Sequence, residues 1–218
     1  MLYLPHALDA IFAGLAESFT RPTAQRFCVL LIGAILARGH RTITGILRAA
    51  GRLADGHFST YHRVLSRAPW SLWRLSDVLV TLVVAHFPPR ELIPAVVDET
   101  TDRHRGPKVY GTGFHRDPVR SSRSRKVFSY GHQWVVLAIV VKFPFTRQPW
   151  SLPVMTTLYR NKKTCRVQRC RHKTHHHIAR QMLACMIRRF PDRTFVLLGD
   201  GAMPPPSWLN SARAIVTL

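Results

Sequence analysis

The chain has 218 residues, 46% of them hydrophobic, which fits one large folded domain or two small ones. Its 32 Lys and Arg residues against 11 Asp and Glu residues give a net charge of +21. This surplus excludes a surface with equal positive and negative charge and indicates a polyanionic partner. Nucleic acid is the first candidate, with a membrane surface or ribosomal RNA as alternatives. No stretch has the roughly 20 apolar residues that span a bilayer, no signal-peptide pattern follows Met1, and four cysteines fit reduced thiols. We therefore expect a cytoplasmic protein with no membrane partner.

The first 90 residues predict a helical region. Apolar side chains recur every three or four residues over 8–19, and a second helix rich in Leu, Ile and Ala is predicted over 23–38. A further helix over 71–86 is followed by Pro88 and Pro89, which stop a helix. We therefore place a domain boundary near residue 90, between a 1–90 helical domain and a 91–218 domain.

Residues 42–66 resemble a helix-turn-helix, because two short helical segments flank the turn 51–56 and Ser59 is suited to cap the second segment. In one interpretation the second helix contacts DNA. The side chains that would make this contact are Thr60, Tyr61 and Arg63. The alternative is a helical bundle whose Arg residues are simply solvated, and the sequence leaves both open.

Beyond residue 90 the pattern changes to strands. Residues 94–98 form a short β-type run that ends in Asp98, and residues 194–200 repeat this plan and end in Asp200. Between them, 134–141 and 150–158 predict two more strands, so that the first three strands could form an antiparallel meander.

A helix is predicted between the third and fourth strands, with Thr174 as its N-cap and Pro191 after its end. Residues 214–218 look like the opening of a fifth strand. The order βββαβ, with acids after the first and fourth strands, predicts an α/β protein in which a helical region precedes the first part of an RNase-H-like domain.

Asp98 and Asp200 are the candidate catalytic and metal-binding residues. Two such strands side by side would bring the carboxylates together, and hard oxygen ligands of this kind suit Mg²⁺. Two divalent ions bridged by a shared carboxylate can activate a nucleophile and stabilise a leaving oxygen in phosphodiester cleavage. The alternative is that each Asp only caps a turn, but for a pair in so basic a chain we favour the metal site. Glu99 and Asp102 are alternative ligands, although Glu99 is predicted to point away from Asp98.

Two basic segments flank these acids, over 102–130 and 160–173. We predict that they hold a phosphate backbone without reading bases, although they could equally be disordered arms. The residues assigned to DNA binding in these segments are Arg103, Arg105, Lys108, Arg123, Arg125, Lys126, Arg160, Lys162 and Lys163.

A second kind of metal site is an alternative in the later segment, where Cys165, Cys170 and His172 precede the run His175–His177. These side chains could ligate zinc, but their spacing matches no common zinc motif.

Several short motifs, in their order and spacing, resemble bacterial insertion-sequence transposases with a DDE endonuclease domain, and the resemblance covers nearly the whole chain. The motifs are Val97–Thr101, Gly131–Trp134, Phe190–Ala202 and, upstream, Phe58–Arg67. The resemblance implies that Asp98 and Asp200 are the first two acids of a triad that binds two Mg²⁺ or Mn²⁺ ions. It further implies DNA strand cleavage and strand transfer in transposition, with transposon ends and target DNA as partners, in a bacterial, nucleoid-associated protein whose complete form could be a homo-oligomer.

The third acid of that family, a Glu on a later helix, has no match here, because no Asp or Glu follows Asp200. We therefore expect a C-terminally truncated transposase that is inactive alone. The alternative function is that of a non-catalytic, basic nucleic-acid-binding protein.

Overall fold

The computed structural model describes residues 6–103, 106, 109–117, 119–122, 124–198 and the backbone of 214–217. The chain forms two compact units, Met1–Leu82 and Val83–Leu218. This division falls a few residues before the Pro88–Pro89 pair on which the predicted boundary rests.

Helices make up the first unit. They are α1 His6–Ala16, α2 Arg21–Leu36, α3 Ile43–Ala50, α4 Phe58–Ser66 and α5 Leu72–Val84, the last of which crosses into the second unit, with a 3₁₀ turn at Gly51–Leu53. Thr42 caps α3 by accepting a 3.1 Å hydrogen bond from the backbone N–H of Gly45. The prediction that Ser59 caps α4 is wrong. The N-cap lies two residues earlier than expected, at His57, whose ring accepts from the Ser59 N–H.

The core of the first unit lies where α2, α3 and α4 meet. Its buried residues are Val29, Leu30, Ile46, Ala50, Tyr61 and Val64. These positions recur at helical spacing on each helix, and burying their apolar surface stabilises the three-helix arrangement.

The second unit is a six-stranded sheet with two helices. Its elements are β1 Leu92–Arg103, β2 Gly113–Arg116, β3 Phe128–Val141, β4 Trp150–Tyr159, α6 Lys162–Val167, α7 His175–Arg189, β5 Thr194–Leu198 and β6 Ala214–Thr217. The strand order is β2-β3-β1-β5-β6, with β4 also paired to β3. β1, β3 and β4 run antiparallel to one another in turn, whereas β5 is parallel to β1 and β6 is parallel to β5.

This arrangement confirms the α/β class, with N-terminal helices followed by the mixed sheet of an RNase-H-like domain. Two short elements, β2 and α6, were not predicted. Each has six residues or fewer and lies in a polar, basic segment, so neither shows a hydrophobic periodicity that the sequence could display.

One face of the sheet is covered by α7 and forms the core of the second unit. Its buried side chains are Ile93, Ala95 and Val97 of β1, Val135, Leu137 and Ile139 of β3, Phe195 and Leu197 of β5, and Ile178, Met182, Leu183 and Met186 of α7. Thr174 caps α7 as predicted, accepting a 3.2 Å hydrogen bond from the His177 N–H. Within the described residues, the structure contains no helix with the length and apolar character needed to cross a membrane.

Candidate active site

Asp98 lies within β1 and not at its end, contrary to the prediction. The strand continues to Arg103 and stays paired with β3 throughout, with Asp98 opposite Val136. The prediction failed because β3 supplies backbone hydrogen bonds to residues 99–103, whose polar composition alone is typical of a loop.

The Asp98 side chain is exposed on the sheet face opposite the buried Val97. Its Oδ1 accepts a 2.7 Å hydrogen bond from the backbone N–H of Glu99. An exposed carboxylate oxygen is the hard ligand that Mg²⁺ and Mn²⁺ prefer, so the chemistry of Asp98 fits a divalent ion. Among the described residues, no three or more His, Cys, Asp or Glu side chains are arranged to hold a metal, and Asp200 lies outside those residues.

The two strands that lead to the candidate acids are adjacent and parallel, as expected, with Val96 of β1 paired to Leu198 of β5. Both residues lie on the face that carries Asp98, since the neighbouring Ala95 is buried on the other face. Asp98 follows Val96 by two residues, and in the sequence Asp200 follows Leu198 by two residues. A metal site shared by two parallel strands requires ligands at equal distances beyond a pair of opposed residues. The two-residue offsets of Asp98 and Asp200 meet this requirement in the sequence.

Glu99 points to the opposite face from Asp98, in agreement with the prediction. Its Oε2 accepts a 2.9 Å hydrogen bond from Gln133 Nε2, and its Oε1 lies 3.3 Å from His175 Nδ1. The His175 ring stacks on Tyr159 with 3.7 Å between centroids. These side chains, with His115, line a cleft of about 480 Å³ at the start of α7. The contacts commit Glu99 to holding α7 on the sheet rather than to a metal beside Asp98.

Burial dominates the protonation of this cluster. It raises the pKa of Glu99, an effect that Asp98 reinforces and that His176 and Gln133 oppose. It lowers the pKa of His175 to about 4, with His115, His176 and His172 acting in the same direction. The His175 ring is therefore neutral at pH 7, and its 3.3 Å contact with Glu99 is not an ion pair.

The zinc alternative is not supported. Cys165 is buried and its thiol donates to the Arg160 carbonyl at 3.5 Å, while His172 Nε2 lies 3.4 Å from the Tyr159 hydroxyl. All six Cys and His residues of that motif lie in the described part of the chain, where no cluster suited to a metal is found.

Two of the predicted DNA-binding cations are engaged within the protein. Arg103 forms a 2.8 Å ion pair with Asp117, whose carboxylate also accepts from the Arg120 N–H. Burial favours a higher pKa for Asp117, but these donors and charges leave its pKa below the ordinary value. Arg160 donates a 2.6 Å hydrogen bond to the Tyr110 hydroxyl. The charge of Arg103 is therefore compensated, and Arg160 is held beside a phenol.

The remaining cations of the two basic segments fall into two groups. Arg125, Lys126, Lys162 and Lys163 are exposed, the last two at the start of α6. Arg105, Lys108 and Arg123 lie outside the described residues.

The helix-turn-helix prediction is corrected at one position. Tyr61 is 3% exposed and belongs to the core, where its hydroxyl donates to the Asp55 carbonyl at 2.9 Å, so it does not face DNA. Thr60 and Arg63 line a cleft together with two arginines that the sequence did not single out, Arg26 and Arg67. The missed signal was the spacing of Thr60, Arg63 and Arg67, which places them on one helical stripe.

A family model described as DDE superfamily endonuclease matches residues 14–202. No curated protein matches the sequence significantly. Among solved structures, a chain of the Drosophila P element transposase strand transfer complex is similar, with 14% sequence identity and a TM-score of 0.34. That similarity covers 89% of this chain and 38% of the Drosophila chain, so this chain spans well under half the length of that relative. Since the family match extends over most of the 218 residues, the chain belongs to the DDE endonuclease superfamily.

Proposed function

We propose that the chain binds DNA and supplies the first two carboxylates of a DDE endonuclease that acts in DNA transposition. The observation that carries the proposal is the parallel pairing of Val96 with Leu198, each two residues before an acid. The family supports the reaction class, and the motifs around Asp98 and Asp200 support their assignment as catalytic residues.

In this proposal Asp98 and Asp200 hold divalent ions, Mg²⁺ or Mn²⁺, at the open face of the sheet. Bound there, such ions supply nucleophile activation and leaving-group stabilisation for phosphodiester cleavage. The contribution of β1 is orientation, because its pairing to β3 on one side and β5 on the other limits the movement of Asp98. The Glu99 cluster on the opposite face anchors the same strand to α7.

The net charge supports DNA as the substrate. A chain of +21 binds duplex DNA largely through phosphates, with little sequence preference and a steep salt dependence. The exposed Arg125, Lys126, Lys162 and Lys163 are the described cations of the second unit that we assign to this contact.

A second candidate function is non-catalytic DNA binding, and one observation favours it. Asp200 is the last acidic residue of the sequence, so residues 201–218 contain no third carboxylate. We propose that the 218-residue chain binds DNA without cleaving it, because a metal site short of one carboxylate does not couple water activation to departure of the leaving group.

The test is a nicking assay on supercoiled plasmid with Mg²⁺ or Mn²⁺, paired with Mn²⁺ titration followed by electron paramagnetic resonance. We expect no nicking by the 218-residue chain, and binding of Mn²⁺ by it. Asp98→Ala and Asp200→Ala should each weaken that Mn²⁺ binding by about tenfold or more. Glu91→Gln, which removes an exposed carboxylate just before β1, is the matched control and should leave Mn²⁺ binding unchanged.

Two results would contradict this assignment. Mn²⁺ binding that is unchanged in Asp98→Ala would remove Asp98 from the metal site. Nicking by the 218-residue chain that either substitution abolishes would show that another residue of this chain supplies the third ligand.

A further inference from the structure

A cleft of about 300 Å³ lies between α2 and α4 of the first unit. Its lining residues are Thr23 and Arg26 of α2, Thr60, Arg63 and Val64 of α4, and Arg67 and Ala68 just after α4. Val64 is 2% exposed and forms the apolar floor. Apart from Ala68, the other lining residues are three arginines and two threonines.

The helical period explains why these groups converge. Thr60, Arg63 and Arg67 are spaced i, i+3, i+7, which places them on one stripe of α4 and its C-cap. Thr23 and Arg26 are spaced i, i+3 on α2. Both stripes line the same cleft, so the polar side chains face each other across it.

The cleft is positively charged and lacks a compensating acid. Its lining residues include no Asp or Glu, and no ion pair is found for its three arginines within the described residues. Arg26 Nη1 makes only a long 3.4 Å hydrogen bond to the Pro22 carbonyl. Three like charges around so small a volume repel one another, and a bound anion would relieve that repulsion.

The position of two of these arginines at the C-terminal end of α4 does not explain why all the polar residues of the cleft converge. Arg63 lies in the last turn of α4 and Arg67 is its C-cap, where a cation stabilises the helix dipole. That effect gives no reason for Arg26 and Thr23 to line the same cleft from another helix. An adjoining cleft of about 630 Å³, which Arg26 also lines, adds Arg52 and one acid, Asp55. The charges of Arg52 and Asp55 balance, so the uncompensated positive charge lies at the first cleft.

We propose that this cleft binds a phosphodiester group of the DNA backbone, with Arg26, Arg63 and Arg67 as the charged ligands and Thr23 and Thr60 as hydroxyl donors. Planar guanidinium forks pair with phosphate oxygens through two parallel hydrogen bonds. The inference deepens the proposed function, because DNA is the partner in both. It makes the DNA contact predicted for Thr60 and Arg63 a positioning contact, since phosphate contacts set register and carry no sequence information.

The experiment measures duplex affinity over a range of salt concentrations for the 218-residue chain and a triple variant, Arg26→Gln, Arg63→Gln and Arg67→Gln. Two duplexes of unrelated sequence are used. Each neutralised phosphate contributes about 0.9 to the slope of log K against log salt, so loss of the one phosphate bound in the cleft should lower the slope by about 1. The loss of affinity should be equal, within about twofold, on both duplexes.

The matched control is Arg38→Gln, Arg48→Gln and Arg74→Gln, which removes three exposed arginines of the same unit that do not line the cleft. It should leave the slope within about 0.3 of the wild-type value. A second variant with Lys at positions 26, 63 and 67 keeps the charge and removes the forks, and it should retain most of the slope while losing affinity. Circular dichroism melts establish that each variant is folded.

Three results would overturn the inference. A loss confined to one duplex would mean that the arginines read bases, and an equal loss in the control would mean diffuse attraction only. Inorganic phosphate that raises the melting temperature of the wild type, with duplex affinity unchanged in the triple variant, would assign the cleft to a free anion. Asp98→Asn removes a proposed metal ligand and leaves this cleft intact. The result of the nicking test and the result of this binding test are therefore independent of each other.

Discussion

Asp98 and Glu99 are adjacent acids whose side chains have opposite environments. Asp98 is exposed and accepts only a backbone hydrogen bond among the contacts described above, whereas Glu99 is held by Gln133 and His175. Strand alternation alone produces this division. One acid is left available for a ligand, while the other is used to attach α7 to β1.

The half-buried imidazole beside Glu99 predicts acid sensitivity. The pKa of His175 is about 4 in the folded chain against an ordinary 6.5, so the unfolded chain binds its proton first as pH falls. The free energy of unfolding should therefore decrease between pH 6.5 and about 4, by at most about 1.4 kcal/mol per pH unit from this group. The raised pKa of Glu99 acts in the opposite sense, since the folded state gains stability as that carboxyl is protonated.

His175→Gln should flatten this dependence, as measured by urea unfolding at pH 7, 6, 5.5 and 5. His177→Gln, which removes an exposed imidazole from the same helical turn, is the control. A slope that is the same in wild type and His175→Gln would show that His175 takes up its proton in the folded chain near its ordinary pKa. Other groups that face the ring are His115, His172, His176 and Tyr159.

At the scale of elements, α2 and α3 approach each other closely because Gly33 has no side chain. A Cβ at Gly33 would overlap the carbonyl oxygen of Ile46 and lie 2.8 Å from its Cγ2. Backbone cannot retreat as a flexible side chain can, so the helices would have to separate. This contact positions α3 and, through the shared core, the α4 residues that line the cationic cleft.

Gly33→Ala should therefore destabilise the first unit. Overpacking of this kind costs about 1–3 kcal/mol, against roughly 1 kcal/mol gained from the helix propensity of Ala. We expect a lower melting temperature and weaker duplex binding with an altered salt slope. Gly39→Ala is the control, since its Cβ would have no atom within 4 Å. A Gly33→Ala chain as stable as the wild type would show that α2 and α3 separate at little cost.

At the scale of the whole molecule, charge is distributed over both units. The first unit contributes the arginine-lined cleft, and the second contributes exposed cations in the segments around β2 and α6. In the proposed function, each segment would add to the number of phosphates that the chain neutralises, and therefore to the salt dependence of binding.

Neutralising Arg123, Arg125 and Lys126 together with Gln should reduce the salt slope of duplex binding by up to about 3. Arg125 and Lys126 are exposed, and the backbone N–H of Arg125 is bonded to Ser122 Oγ, so the loop should keep its course. The Arg38, Arg48 and Arg74 triple variant serves again as the charge-matched control. An unchanged slope would place this loop away from the DNA.

The sequence by itself determined α1 to α5 and α7, with their approximate ends, and the strands β1, β3, β4 and β5, whereas α6 and β2 were not predicted. Those features depend on residues that are close together in the sequence. Thr174, for example, caps the helix that follows it, and a β-type run leads to Leu198. The fifth predicted strand, opened by residues 214–218, is also present as β6. The family motifs around Asp98 are likewise local, so they too could be recognised from the chain alone.

Tertiary structure decided what local patterns do not encode. Tyr61 faces the core rather than DNA because α2 and α3 pack against that side of α4. Arg103 is neutralised by Asp117, 14 residues away, and Glu99 is bonded by Gln133, 34 residues away. Polar residues stay in β1 beyond Asp98 because β3 pairs with them. In each case the interacting residue belongs to another helix, strand or loop. That residue decides whether the charge of a side chain is compensated and which way the side chain points.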